Sequence, residues 1–161
     1  MRRIDIKLSL PVVAPLLDVM RDACSGLRGS LASPVIIESL DSDMREIWAE
    51  DLLQAQNLEL KQFLDLFDSE FFSTGMLRID EEHADVIMRA TASLRLQLRM
   101  GALRGITDEL LEEGRIDPEK LPVPQQGSFL CYIFLASLQE LMIQHMSGDA
   151  TQEPSQEPSQ E

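Results

Sequence analysis

The sequence predicts a mainly α-helical protein, a small helical bundle around one long central helix, with a short two-stranded ribbon beside it. Three observations lead there. Aromatic residues are only 5% of the chain, and glycine and proline are sparse inside its periodic segments, which favours helix over sheet. The stretch Asp80–Gly105, "DEEHADVIMRATASLRLQLRMGALRG", is apolar on two sides, the pattern of a helix surrounded by partners. Only one short segment, "RIDIKLSL" at Arg3–Leu10, alternates with the period of a half-buried strand.

In that first segment Ile4, Ile6, Leu8 and Leu10 face one way and Asp5, Lys7 and Ser9 the other. A lone strand needs a partner, and "MLRI" at Met76–Ile79 is the other extended candidate. Pro11–Leu27 reads as the first helix, with Leu16, Leu17, Met20, Ala23, Cys24 and Leu27 inward; Pro11 is tolerated in a first turn. The connection "SLASPVIIESL" carries Val35, Ile36 and Ile37 toward the core. The second long helix is expected from about Asp43 to Phe67, capped by Asp41 or Ser42, with Trp48, Leu52, Ala55, Phe63 and Leu66 as its inward stripe. Glu59 falls in the middle of that apolar arc and Asp51 at its edge.

The central helix should begin with Asp80 as N-cap, with Glu81 and Glu82 favoured by the helix dipole, and end with Gly105 in a left-handed position. Ile87, Thr91, Leu94, Leu98 and Ala102 make one stripe and Leu96 and Leu103 the opposite one. At ~1.5 Å per residue the whole stretch spans roughly 38 Å. Thr107 can cap a short helix in "ITDELLEEG", and "RIDPEKLPVPQQG" is a proline-rich connection. The last helix, Ser128–Met146, is apolar nearly all round, which places it in the core or at a subunit contact. Residues 1–146 thus read as a single helical domain, and 147–161 as a disordered acidic tail of Pro, Gln, Ser and Glu.

Charge and composition narrow the function. A net charge of −14 repels nucleic acid and anionic membrane and suits a basic protein partner. Cys24 and Cys131 form no metal or redox motif and read as buried thiols in a reducing, cytoplasmic setting. The apolar N-terminal run is interrupted by Asp5, Lys7, Pro11 and Pro15, unlike a signal peptide, and no segment reads as a membrane span. There is no Gly-rich phosphate loop, no metal-spaced Cys/His cluster and no nucleophile elbow, so neither a cofactor nor a catalytic residue is expected. His83 and His145 sit at helix ends without ligand spacing.

One charge feature stands out. Val86–Thr107 holds four arginines, Arg89, Arg95, Arg99 and Arg104, and no acid, whereas Glu38–Asp85 holds fourteen acids and three basic residues. Asp51, Glu59, Arg95 and Arg99 are therefore the candidate ion-pair or ligand cluster. A carboxylate in an apolar stripe needs a partner, and Arg95 is the expected partner of Glu59, with Arg99 in reserve. Stranding a buried arginine by Glu59→Ala would cost about 3–5 kcal/mol.

Several stretches together resemble a known family: "WAEDLL", "RIDEEHADVIMRATASLRLQL", "RGIT" and "LASLQELM". The family is an uncharacterised bacterial all-helical domain of unknown function, best known from actinobacteria, and the resemblance covers most of residues 3–146. Where the family usually has a tryptophan before the final "LQEL"-like stretch, this chain has Ile133, Phe134 and Leu135. The resemblance implies an α-helical cytosolic protein. In actinobacteria the family tends to be encoded beside the Clp protease adaptor and cysteine-synthesis proteins, and some members carry a regulator label. It supplies no catalytic residue.

Two functions follow as expectations. The first is a non-enzymatic cytosolic interaction or regulatory protein, with a protein partner and a homodimer contact through Ser128–Met146, where Phe129, Ile133, Leu135, Met142 and Ile143 add apolar surface. The second is a domain that binds a small anionic ligand, or an enzyme, built on the Arg/carboxylate cluster. Direct DNA contact by the central helix is the weakest reading, because a helix buried on two sides cannot enter a groove.

Overall fold

The computed structural model describes residues 3–32, 41–113 and 116–148. Among these residues one ribbon joins β1 (Arg3–Lys7) to β2 (Met76–Asp80), antiparallel, with Ile4 opposite Ile79 and Ile6 opposite Leu77. The alternation seen in the sequence thus puts the apolar side chains of both strands on one covered face; Ile4, Leu77 and Ile79 are buried. The ladder extends to the Leu8 amide, which donates to the Gly75 carbonyl at 2.8 Å. Gly75 has φ +71°, and a Cβ there would meet the Leu8 carbonyl oxygen at 2.8 Å, so only glycine fits this corner.

α1 (Leu10–Leu27) buries Leu16, Leu17, Met20, Ala23, Cys24 and Leu27, the six positions its spacing assigns inward, together with Val13. α2 (Ser42–Asp65) leads into a short helix that the periodicity does not predict, α3 (Ser69–Thr74), capped by the Asp68 carboxylate on the Phe71 amide at 2.9 Å. The inward face of α2 is the expected one only in part: Phe63 is buried and Leu66, just beyond the helix, is half-buried, as expected. Gln56, Leu60 and Phe63 are buried, whereas Trp48 is 50% exposed and Met44 and Ile47 also face solvent. Aromatic packing sets this phase. Phe63 meets Phe67 edge-on at 5.5 Å, Phe67 meets Phe71 at 5.1 Å, and only the C-terminal half of α2 lies on the core.

The central helix, α4 (Ala84–Met100), is shorter than the stretch that predicts it. Asp80 closes β2 opposite Arg3 and makes no side-chain capping bond; a 3₁₀ turn, Glu81–His83, intervenes before the helix. The backbone of Asp80 is committed to the ribbon, which delays the helix by one turn. At the other end Gly101 caps the helix, and Gly105, at φ +99°, belongs to the turns beyond it. Ile87, Thr91, Leu94 and Leu98 are buried as expected, and Leu103 as well; Ala102 is exposed. The Thr91 hydroxyl is satisfied within the helix by the carbonyls of Ile87 and Met88, both at 2.9 Å. α4 packs against α1, α2 and the last helix, which makes it the centre of the bundle.

α5 (Asp108–Glu113) is the short helix expected after Thr107. α6 (Val123–Gly148) begins earlier than expected, because Pro124 is tolerated in a first turn and the amides of Gln125 and Gln126 both donate to the Pro122 carbonyl. Phe129, Leu135 and Met142, expected to add apolar surface for a second subunit, are buried in this chain's own core; Ile133 is half-buried and Ile143 exposed. Contrary to the reading that no segment resembles a span, Val123–Met146 is by length and composition long and apolar enough to cross a membrane. A core helix passes the same test, and α6 packs on α1 and α4. The connection bearing Val35, Ile36 and Ile37, and the tail from residue 149, lie outside the described residues.

Candidate functional site

The arginines of α4 point in two directions. Arg89 faces α2, and its Nε donates to Glu59 Oε1 at 2.8 Å. Arg95 and Arg99, roughly a third of a turn away around the helix, face α5 and α6. The expected cluster of Asp51, Glu59, Arg95 and Arg99 is therefore not assembled. Asp51 is exposed on α2, Glu59 belongs to Arg89, and only Arg95 and Arg99 share a site. The Glu59–Arg89 pair is also less buried than the expected Glu59–Arg95 pair, with the Arg89 side chain 58% exposed. Water then screens it. Glu59→Ala should cost about 1 kcal/mol or less rather than the buried-pair figure, and a thermal-melt double-mutant cycle with Arg89→Met should return a coupling below about 1 kcal/mol.

The Arg95 site draws on three helices. Arg95 Nη1 donates to Gln139 Oε1 at 2.6 Å, and Nη2 donates to the Tyr132 hydroxyl at 3.0 Å, while the guanidinium carbon stands 4.7 Å above the Tyr132 ring. Gln139 is itself anchored through Nε2 on the Met88 carbonyl at 3.3 Å. From α5, one oxygen of Glu112 accepts from the Tyr132 hydroxyl at 3.2 Å and from Arg99 Nη2 at 3.4 Å, and lies 3.6 Å from Arg95 Nη2. Asp108 Oδ1 approaches Arg99 Nε at 3.1 Å, as an ion pair whose angle is outside hydrogen-bond geometry. The Nε atoms of both arginines are buried without a hydrogen-bond acceptor. A cavity of about 220 Å³ opens beside these groups between Ala92, Leu96, Glu112 and Tyr132.

Periodicity and charge runs do not single out Tyr132, Gln139 or Glu112. Tyr132 carries a signal all the same, being the single tyrosine of the chain and set in the most apolar helix, where a hydroxyl needs a partner. Asp108 and Glu112, four apart on a short helix, carry another.

A second concave feature runs between α2 and α4. This groove of about 420 Å³ is lined by Leu52 and Ala55 of α2, by Ala92 and Leu96 of α4, and by Leu31 and Ala32. It continues the apolar arc whose spacing predicts a place in the core.

Burial pushes the Cys24 thiol up to about 11, with Arg28 pulling the other way, and burial together with Cys24 pushes Cys131 up to about 12. Neither is a thiolate at neutral pH. Asp80, Glu82 and His83 bring one ligand atom each within 4.8 Å of one another, but all three are exposed, and such groups are common without a metal.

Comparison with known families gives a match. The model of the Domain of unknown function DUF2017 family matches residues 37–146. The chain belongs to this family. The DUF2017 match spans α2 to all but the end of α6, and so contains every residue of the arginine site and the α2 arm of the groove; β1 and α1 precede it. No curated protein and no solved structure matches the chain.

Proposed function

We propose that this DUF2017 protein is a non-enzymatic cytosolic interaction protein, and that it presents the first half of α2 to a basic amphipathic helix of a partner protein. The exposed stripe of Met44, Ile47 and Trp48 carries this reading. At helical spacing these residues lead into Leu52 and Ala55, and so into the groove over Ala92 and Leu96. Tryptophan is the residue most often found as an interface anchor. Around the stripe stand Asp41, Asp43, Glu46, Glu50 and Asp51, with Arg45 the one basic residue of that run. Such a face is complementary to a helix that is apolar on one side and rich in Lys or Arg on the other, and a second copy of this acidic chain would meet like charge there. A homodimer through α6 would have to use Leu130, Leu141, Ile143 and Met146, since Phe129, Leu135 and Met142 are inside the core.

The test is affinity capture from lysate with wild type and with Ile47→Asp/Trp48→Asp, paired with light scattering of the purified chain. A protein retained by wild type, lost from the variant, and contacting it through a basic amphipathic helix is the expected result. Retention that is equal for both proteins, or a doubled mass that Leu141→Asp/Ile143→Asp abolishes, would move the interface away from α2.

A further inference from the structure

We propose that Arg95, Arg99 and Tyr132 form a binding site for a small oxyanion, a carboxylate or phosphate group, in which the Glu112 carboxylate is the resident stand-in. This inference is independent of the α2 surface.

Two of the three donors are anchored independently of α5, and their acceptor is exposed. Tyr132 is buried on α6, and Arg95 is held on α4 by Gln139 and by stacking over the tyrosine ring. These groups and Arg99 converge on a single oxygen, Glu112 Oε1. Glu112 reaches them from a helix of six residues, with its side chain 59% exposed. Its approaches to the two guanidinium groups are 3.4 and 3.6 Å, longer than the ~2.7–2.9 Å of a seated charge-assisted bond. The carboxylate is in the right place with the wrong fit, because its tether keeps it from closing on three donors at once. A free oxyanion has no tether.

Unused capacity points the same way. The buried Nε of Arg95 has no hydrogen-bond acceptor, and that of Arg99 has only the off-angle Asp108 carboxylate at 3.1 Å, although a guanidinium has five N–H groups to satisfy. The adjoining cavity of about 220 Å³ is several times the ~30 Å³ of a water molecule and has room for a phosphate or a short carboxylic acid. Two arginines and one hydroxyl on fixed helices are the chemistry of oxyanion recognition. Binding would displace Glu112 and leave the Asp108–Arg99 pair and the buried Leu111 to hold α5.

The experiment removes the stand-in. Melting temperatures of wild type and Glu112→Ala are followed against inorganic phosphate and, separately, acetate, each at constant ionic strength set with NaCl. Glu112→Ala should gain a saturable rise in melting temperature with one of the two anions, at about tenfold lower concentration than wild type needs. The rise should vanish in Glu112→Ala carrying Arg95→Met and Arg99→Met. A response to phosphate alone or acetate alone keeps the site and names its ligand class. No response to either anion, or one that persists without the arginines, overturns the proposal. Should Glu112→Ala fail to fold, the arginine side-chain N–H signals of wild type, followed by NMR through the same titrations, decide between the same two outcomes: selective movement of Arg95 and Arg99 supports the site, and its absence overturns it.

Discussion

Phe63→Ala should lower the stability of the fold by about 3–5 kcal/mol, read as a lower denaturation midpoint in urea with the slope unchanged. Phe63 is wholly buried, and its ring stands edge-on to Phe67, which in turn stands edge-on to Phe71. Removing the first ring opens a cavity and deprives the second of its partner. The informative control is Trp48→Ala. The sequence puts Trp48 and Phe63 on one stripe, and tryptophan is the larger side chain. The structure leaves Trp48 half in water, so its removal should change stability by no more than about 0.5 kcal/mol. Equal losses at the two positions would mean that α2 is packed along its whole length.

Gln56→Leu should cost about 2–4 kcal/mol, although it replaces a polar residue with an apolar one at a buried position. Gln56 Nε2 donates to the carbonyls of Leu27 at 3.1 Å and Ser30 at 3.0 Å, and its Oε1 accepts from the Ala32 amide at 2.9 Å. One side chain thereby satisfies three backbone groups just where α1 ends and its last carbonyls have no helical partner. Asn57 adds a fourth tie, from Nδ2 to the Arg28 carbonyl at 3.2 Å. A leucine fills the space and strands the carbonyls and the amide, each worth about 1–3 kcal/mol where water cannot reach it. Chemical denaturation measures the loss, and hydrogen exchange locates it: protection of the Ala32 amide should disappear in Gln56→Leu while that of the α4 core amides falls only in step with global stability.

These two residues mark the limit of what periodicity can read. The α1 face and the Ile87–Thr91–Leu94–Leu98 stripe are legible because each helix offers one apolar arc that is clearly better than its alternatives. α2 offers two. The expected one runs from Trp48 through Leu52 and Ala55 to Phe63, the observed one takes Gln56 and Leu60 beside Phe63, and the choice belongs to Phe71 and to the end of α1 rather than to α2. Gln54 and Gln56 look alike as letters, and only the carbonyls waiting at the end of α1 make the second a core residue. The ribbon is legible from both strands, yet its closing pair, Arg3 and Asp80, takes from the central helix the cap that Asp80 would have supplied. At the arginine site the need for acidic partners is visible in the sequence and their source is not. Sequence order favours the preceding helix, whereas Arg95 and Arg99 turn toward the carboxylates of α5 and the tyrosine of α6.

Pairing β1 with β2 has a consequence for how the chain is made. Strand residues 3–7 leave the ribosome some seventy residues before their partners at 76–80. At ~5–20 residues per second that is a wait of about 4–15 s, long against the microseconds in which a hairpin or helix forms. During the wait Ile4 and Ile6 have no strand to cover them. Charge guards the interval, since Arg3, Asp5 and Lys7 alternate with those isoleucines and discourage pairing with another nascent chain. When β2 emerges, its docking encloses α1, α2 and α3 in one loop, a closure whose entropy rises only slowly with length. Vectorial synthesis thus gives the helices a chance to form first and leaves the ribbon to fasten them.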